Sequence, residues 1–409
     1  MTAIPHGAAF LEYLQLETLD ADVLGTPDFD YHLYGTRVRF AQGCAAQLAA
    51  TLAGLGGRRP VLLMQRRLAA SAAGQALRAQ LAGLEAVVLD GVPEHGSVAY
   101  LETALAGLRA HRPDVIVAAG GGSVADSAKA LALMLPEGAS LAAYAAGRPA
   151  PPRRALLPIV SLPTTAAAAE VTPSIGLADQ GRKRLFWCRD VAATEVLIDP
   201  DLAAGLPRQR LLATAVNGIA HDLEGLYSRQ RSPVSDALAL HSLGLFAEAL
   251  APRAEPAAAR RQILAAAHLS GMVLSMARTC LHHAICHVIG ARHGVAHGAV
   301  NCVMLPHVLR FNAPAAPRAL AAAAQAIGRA GGAPEGVAAQ DWVTGLRETH
   351  GLPGSLRELG LAAADLPEIA RLCMHERGVA LNPRAVPDAD TVLHLLEQAY
   401  GPALSRSTV

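Results

Sequence analysis

The sequence predicts a doubly wound α/β domain followed by a mainly helical one, and three observations carry that prediction. Short apolar runs alternate with Ala-rich helical stretches through the first half. A Gly-rich turn interrupts that alternation between a strand and a helix. After Asp201 the strand signal nearly vanishes and long Ala/Leu-rich helical patterns take over. With 409 residues the chain is long enough for two domains, each burying its own core. The expected divisions are an N-terminal extension over 1–28, an α/β domain over 29–203 and a helical domain over 204–409. Pro200 and Pro207 punctuate the change.

In order, 61–64 (VLLM) reads as a buried strand and 68–81 as the helix after it. Residues 87–89 read as a second strand, 101–111 as a helix and 115–119 (VIVAA) as a third strand. The Pro-rich loop 149–154 precedes another apolar strand at 156–162. Strand–helix alternation of this kind implies a parallel, doubly wound sheet. The long apolar stretch 263–289 is broken by Arg278 and several histidines, so it reads as one or two buried helices and not a membrane span.

Composition narrows the class of function. Hydrophobic residues make up 52% of the chain and charged residues 17%, which suits a packed globular protein. A net charge of +1 with no basic run argues against a nucleic-acid partner. The six cysteines are scattered with no CxxC pair, as in a reduced cytoplasmic protein. The first twenty residues lack a basic segment followed by an apolar one, so no secretion signal is expected.

Two groups of residues carry chemistry. In AAGGGSVADSAKA, Gly120, Gly121 and Gly122 let backbone approach a phosphate and adopt positive φ, and the following helix offers N–H groups and its dipole. Ser123 is placed to cap that helix. This is not the GxGxxG pattern, so a standard Rossmann assignment does not follow. A second loop after a strand, SLPTTAAAAEVT, offers the hydroxyls of Thr164 and Thr165. In the second half, Asn217 and His221 lie four apart, as do His283 and His287, and His297 follows fourteen residues after His283. On helices each pair shares one face, and such a set suits a divalent metal with a position left open for substrate.

GGGSVADSAK (120–129), PTTAAAAEVT (163–172), NGIAHDLEGLYS (217–228), HHAICHVIG (282–290) and AHGAVNCVMLPHV (296–308) resemble, in order, the signature segments of iron-containing, group III alcohol dehydrogenases. The likeness runs from about residue 29 to the end. TPSIGL, SLRELGL, NPRAVPDAD and Asn217, where most metal-dependent members carry Asp, resemble the branch that reduces maleylacetate. The resemblance implies the dehydroquinate synthase-like architecture: an α/β N-terminal dinucleotide-binding domain plus an all-helical C-terminal domain, with an active site in the cleft between them. It implies that Gly121, Gly122 and Ser123 bind the cofactor pyrophosphate, that Asp126 also belongs to the cofactor-binding residues, that Thr164 and Thr165 lie near the nicotinamide, and that Lys183 lies near the cofactor. It sets Asn217, His221, His283 and His297 at a metal position for Fe²⁺ or Zn²⁺, and His287 beside the reacting centre, with His283 and His221 also catalytic. Three departures stand out. Ala168-Ala169 replace a Gly-Ser, while Asp126 and GAVN (298–301) resemble the general dehydrogenases.

The implied activity is NADPH- or NADH-dependent reduction of maleylacetate or a similar oxo-dicarboxylate to 3-oxoadipate, by a homodimer with no membrane partner. Such a substrate has two carboxylates, for which Arg278 and Arg384 are candidates. Arg66 and Arg67 follow the first apolar strand, where the adenosine ribose lies in such domains. Arginine there accommodates a 2′-phosphate, so NADPH is expected to serve at least as well as NADH. The alternatives are a metal-dependent alcohol dehydrogenase reducing aldehydes or oxo-acids, and a dehydroquinate synthase-like lyase.

Overall fold

A computed structural model describes residue 31 and residues 35–137, 155–179, 182–252, 254–334 and 336–401. The N-terminal extension and the Pro-rich loop lie outside the described residues. The chain forms two compact units that divide between Pro207 and Arg208.

The first unit is built on six parallel strands: β1 (Arg37–Phe40), β2 (Pro60–Met64), β3 (Val87–Leu89), β4 (Val115–Gly120), β5 (Ile159–Pro163) and β8 (Glu195–Ile198). Their order across the sheet is β1-β8-β5-β4-β2-β3. Strands β2, β4 and β5 are buried throughout, which explains their continuous apolar runs. Leu48, Leu52, Leu62, Met64, Val117 and Leu162 belong to one core on this sheet. The remaining two strands, β6 (Ser174–Asp179) and β7 (Arg182–Trp187), form a separate antiparallel hairpin absent from the sequence expectation. Its second strand carries the run RKR, which hides the alternation that marks a strand.

Among the described residues five α-helices belong to this unit: α1 (Leu48–Gly54), α2 (Arg66–Ala69), α3 (Ala72–Ala79), α4 (Val98–His111) and α5 (Gly122–Glu137). The single helix expected over 68–81 is two short ones. Ser71 breaks it, because its Oγ accepts the Gly74 N–H and caps α3. A Cβ at Gly74 would stand 2.0 Å from the Leu68 carbonyl oxygen, so only glycine admits this tight corner.

The second unit is helical among the described residues: α6 (Arg208–Tyr227), α7 (Pro233–Ala249), α8 (Pro256–Ala277), α9 (Leu281–His293), α10 (His297–Asn312), α11 (Pro317–Arg329), α12 (Ala339–His350), α13 (Leu366–Cys373), α14 (Gly378–Leu381) and α15 (Ala389–Tyr400). Helix α6 is buried on all sides from Ala215 to Tyr227, so its polar residues must find partners inside the protein. Two glycines flank its central histidine. A Cβ at Gly218 would meet Phe246 at 2.6 Å, and one at Gly225 would meet Val273 at 2.2 Å, so α7 and α8 approach closely there. The apolar stretch 263–289 divides into the end of α8 and most of α9, which meet at a bend of 104°. Arg278 turns that corner at φ 64 and ψ −177, a conformation that non-glycine residues rarely adopt. Among the described residues no single helix is long and apolar enough to cross a membrane.

Candidate functional site

Strand β4 passes into α5 through Gly121 alone. The Gly121 carbonyl accepts the N–H groups of Val124 and Ala125, so the helix starts at Gly122. Ser123 therefore sits in the first turn and is not the cap that the sequence suggested. The glycines serve close approach: none of Gly120, Gly121 and Gly122 has a positive φ, contrary to expectation. A Cβ at Gly120 would meet Val124 at 2.6 Å, and one at Gly121 would meet Thr165 at 2.9 Å. The glycine turn and the PTT loop are thus pressed together, and the Thr164 N–H donates to the Gly120 carbonyl. Thr165 Oγ1 accepts the Ala167 N–H at 3.4 Å, which folds the loop over. Gly122 faces the methyls of Ala167 and Ala169 at ordinary contact distance. Ala168 holds φ +56 while buried, a strained state for a residue with a Cβ.

Asp126 makes two contacts within the unit. Its Oδ1 pairs with Lys129 Nζ at 2.9 Å, and its Oδ2 accepts the Gly176 N–H at 2.9 Å, latching α5 to β6. Lys129 is buried and also donates to the Ser174 carbonyl at 2.7 Å. Burial pushes the Glu170 carboxyl up to about 7, against the pull of the Lys129 charge. Arg66 opens α2 at the end of β2 and is exposed, with Nε about as near as Tyr100 Oη to the space over Gly91. Arg67 donates to the Gly205 carbonyl, so of the two arginines it is the structural one. Lys183 lies on β7 opposite Ala178; its side chain lies outside the described residues.

In the helical unit, α6, α9 and α10 bring the predicted histidines into one cluster. A Cβ at Gly298 would stand 2.9 Å from the Ala213 carbonyl oxygen, so the start of α10 lies directly on α6. The His221 and His283 rings stack at 4.8 Å between centroids. His297 lies 5.7 Å from both His283 and His287, and His283 lies 6.0 Å from His287. The Asn217 carboxamide sits between the first two rings. Its Nδ2 is 3.4 Å from His221 Nε2, and its Oδ1 is 3.2 Å from His283 Nε2.

Partners the sequence reading passed over hold this cluster. Glu224 is fully buried; its Oε1 accepts the His282 backbone N–H at 2.8 Å, and its Oε2 meets His283 Nδ1 at 2.6 Å. Burial pushes its carboxyl up from the usual carboxylate range. Asn217, His221 and Glu224 follow the helical spacing i, i+4, i+7, a signal available in the sequence. His282 Nε2 meets Asn301 Oδ1 at 2.6 Å, and Asn301 Nδ2 donates to the His297 carbonyl at 2.7 Å, bracing the start of α10. Burial drives His282 down to about 4 and His221 well below the usual histidine range, each helped by the neighbouring histidines. Both are neutral near pH 7. His287 differs: its side chain is 19% exposed, against 2% for His283, and its Nδ1 lies 3.6 Å from Glu376 Oε2.

The donors suit Fe²⁺ or Zn²⁺ in kind: three imidazoles, a carboxamide oxygen, and a carboxylate behind His283 of the sort that backs metal-bound histidines. Among the described residues, however, no three His, Cys, Asp or Glu side chains stand gathered as a ready-made ligand group. A metal ion held here by His221, His283, His297 and Asn217 would have to displace the two Asn217 contacts.

The arginines proposed for substrate carboxylates fare differently. Arg384 stacks on the Phe311 ring at 4.2 Å and donates to the Phe311 carbonyl, so it is a structural clamp. Arg278 stays a candidate, held at the strained corner five residues before His283.

Residues 35–200 match the family model for iron-containing alcohol dehydrogenase, and residues 211–400 match the C-terminal model of the same family. A maleylacetate reductase of Sphingobium indicum is 32% identical over 91% of this chain and 97% of its own length. Maleylacetate reductase 2 of Cupriavidus pinatubonensis is 34% identical over 74% of this chain and 79% of its own. Among solved structures, an alcohol dehydrogenase of Ralstonia eutropha superposes with a TM-score of 0.79 at 32% identity, covering 92% of this chain and 98% of that one. A maleylacetate reductase from a Rhizobium species gives 0.76 at 28% identity, covering 91% and 98%. With both halves matched by its models and relatives running nearly end to end, the chain belongs to the iron-containing alcohol dehydrogenase family and is an NAD(P)-dependent oxidoreductase.

Proposed function

We propose that the protein reduces maleylacetate to 3-oxoadipate, with NADPH serving at least as well as NADH. The observation that carries this reading is the contrast inside the histidine cluster. His221 and His283 are buried and tied to Asn217, whereas His287 is partly exposed and backed by Glu376. Curated relatives across most of the chain act on maleylacetate, which supports the substrate.

The reduced nicotinamide supplies a hydride to the alkene carbon β to the ketone. Negative charge then develops on the ketone oxygen, and the site must meet it with a hydrogen bond or a positive charge. His287 delivers that hydrogen bond and the proton that completes the carbon α to the ketone, with Glu376 Oε2 3.6 Å from its Nδ1. His297, stacked on His287 with planes 17° apart, holds the His287 ring in place. When bound at His221, His283, His297 and Asn217, a divalent ion would supply Lewis-acid polarisation of the same oxygen. Gly121, Gly122 and Ser123 cradle the pyrophosphate at the start of α5, with Thr164 and Thr165 beside it. Arg66 reaches the 2′-phosphate, and Arg278 takes a substrate carboxylate. The six buried cysteines form no disulfide, which suits a reducing compartment, so we place the enzyme in the cytoplasm, as a homodimer acting on small oxo-acids.

The test is to follow reduced-nicotinamide absorbance with EDTA-treated protein, fresh maleylacetate and either cofactor, before and after adding Fe²⁺ or Zn²⁺. Turnover on maleylacetate under either condition is the expected result. Absence of turnover under both, with turnover on simple aldehydes, would reject the substrate assignment.

A further inference from the structure

We infer that the seam between α10 and α12 of the helical unit holds one chloride-sized anion between His307 Nε2 and Arg310 Nη1. The site is separate from the histidine cluster. His307 follows His297 by ten residues on α10, which at helical rise is about 15 Å along the axis. The inference does not depend on the substrate assigned above.

Helical spacing and two contacts place the groups. His307 and Arg310 are three apart on α10, so their side chains leave the same face. Arg310 Nη2 crosses to α12, where it meets Asp341 Oδ1 at 3.0 Å and Thr344 Oγ1 at 3.5 Å. Arg347 follows Thr344 by one turn and is buried, which puts a second guanidinium on the same seam. His307 is 2% exposed, and its Nε2 meets no hydrogen-bond partner among the described residues. Arg310 Nη1 is likewise buried without one. A guanidinium nitrogen always carries hydrogen, and the imidazole donates in its Nε2–H tautomer. A buried donor left without an acceptor is costly, so these two neighbours call for a shared one.

The surroundings decide what that acceptor is. After burial, the charges of Arg310 and Arg347 drive His307 down to about 4, so both guanidiniums act on its ring. Asp341 faces Arg310, with a quarter of its side chain exposed. Glu348 and Glu358, which act on the Arg347 charge, are exposed. Cys302, also acting on Arg347, is a neutral thiol, because burial pushes it up to about 12. A water molecule accepts two hydrogens but leaves the positive charge unanswered, whereas an anion meets both demands. A monatomic anion accepts from any direction and needs none of the paired, coplanar donors that suit a carboxylate.

The test uses the full chain in two arms. In the first, thermal unfolding is followed at neutral pH and constant sodium while gluconate is replaced by chloride. Wild-type Tm should rise by roughly 3–6 °C once chloride stands about a hundredfold above its dissociation constant. Arg310→Met should lose that rise, and formate in place of chloride should give a smaller one. In the second arm, wild-type crystals soaked in sodium bromide are measured at the bromine edge. We expect an anomalous peak within hydrogen-bond reach of both His307 Nε2 and Arg310 Nη1. No peak there, or a wild-type Tm that responds to chloride no more than to gluconate, overturns the inference. A peak without the chloride response marks an adventitious ion only, and a larger response to formate makes the ligand a carboxylate; both outcomes also overturn it. The wild type alone carries both readings, so a variant too unstable to fold leaves the inference open to refutation.

Discussion

Around Gly120–Gly122 the protein makes room by omitting side chains, whereas around His221 and His283 it fills the interior with polar groups that hold one another. The phosphate turn needs only backbone geometry, a helix start and the neighbouring Thr165, and its surroundings are the methyls of Ala167 and Ala169. The histidine cluster needs a buried carboxylate and two amides to stay satisfied at a depth where an unpaired polar group costs about 1–3 kcal/mol. The first kind of site tolerates little added volume. The second tolerates little change in hydrogen-bonding character.

Substitutions can break that contrast from either side. The largest effect should come from His287→Ala, which removes the proposed proton donor without disturbing the Glu224 network. We expect kcat on maleylacetate to fall roughly 10²–10³-fold, measured by steady-state kinetics. Gly121→Val should act by volume alone, because its first added carbon would already stand 2.9 Å from Thr165. Overpacking of this kind costs about 1–3 kcal/mol, visible as a lower Tm together with weakened cofactor binding. Arg66→Ala should raise KM for NADPH about ten-fold and leave KM for NADH nearly unchanged, the mark of a lost 2′-phosphate contact. Equal effects on both cofactors would remove Arg66 from that role.

Two further changes concern stability. Burial, aided by the Arg310 and Arg347 charges, depresses His307 to about 4. A histidine with a depressed folded pKa contributes stability that is present above pH 6.5 and is lost as pH falls through about 4. The helical unit should therefore weaken across that window, by at most about 3 kcal/mol from this residue. His307→Gln should flatten the slope of Tm against pH between 6.5 and 4. Ala168→Gly should show the smallest effect, relieving the φ of +56 and adding about 1 kcal/mol, or roughly 2–4 °C in Tm.

The two regions also differ in how much of them the sequence showed. The phosphate turn was legible because glycines next to an apolar strand leave a local signature, although their purpose proved to be close approach and not positive φ. The histidines were legible through helical spacing, since four-residue repeats put side chains on one face whatever surrounds them. Glu224 shared that face with Asn217 and His221, yet a glutamate in a helix is usually solvated, and only burial shows its task. Asn301 and Glu376 were invisible because their partners come from other helices. The contact of Asp126 with Gly176 was invisible for the same reason, since β6 must first fold onto α5. The hairpin itself escaped notice because its second strand opens with the charged run RKR, which breaks the alternation.

The central claim is that hydride reaches the alkene carbon β to a ketone. The most direct measurement uses NADPH deuterated at the transferring position of the nicotinamide, with maleylacetate as substrate and mass spectrometry of the product. The account predicts one deuterium in 3-oxoadipate, on the carbon β to the ketone and next to the distal carboxylate, with one NADPH consumed per product. Deuterium on a carbinol carbon, from reduction of the carbonyl to an alcohol, would contradict it and make the protein a carbonyl reductase.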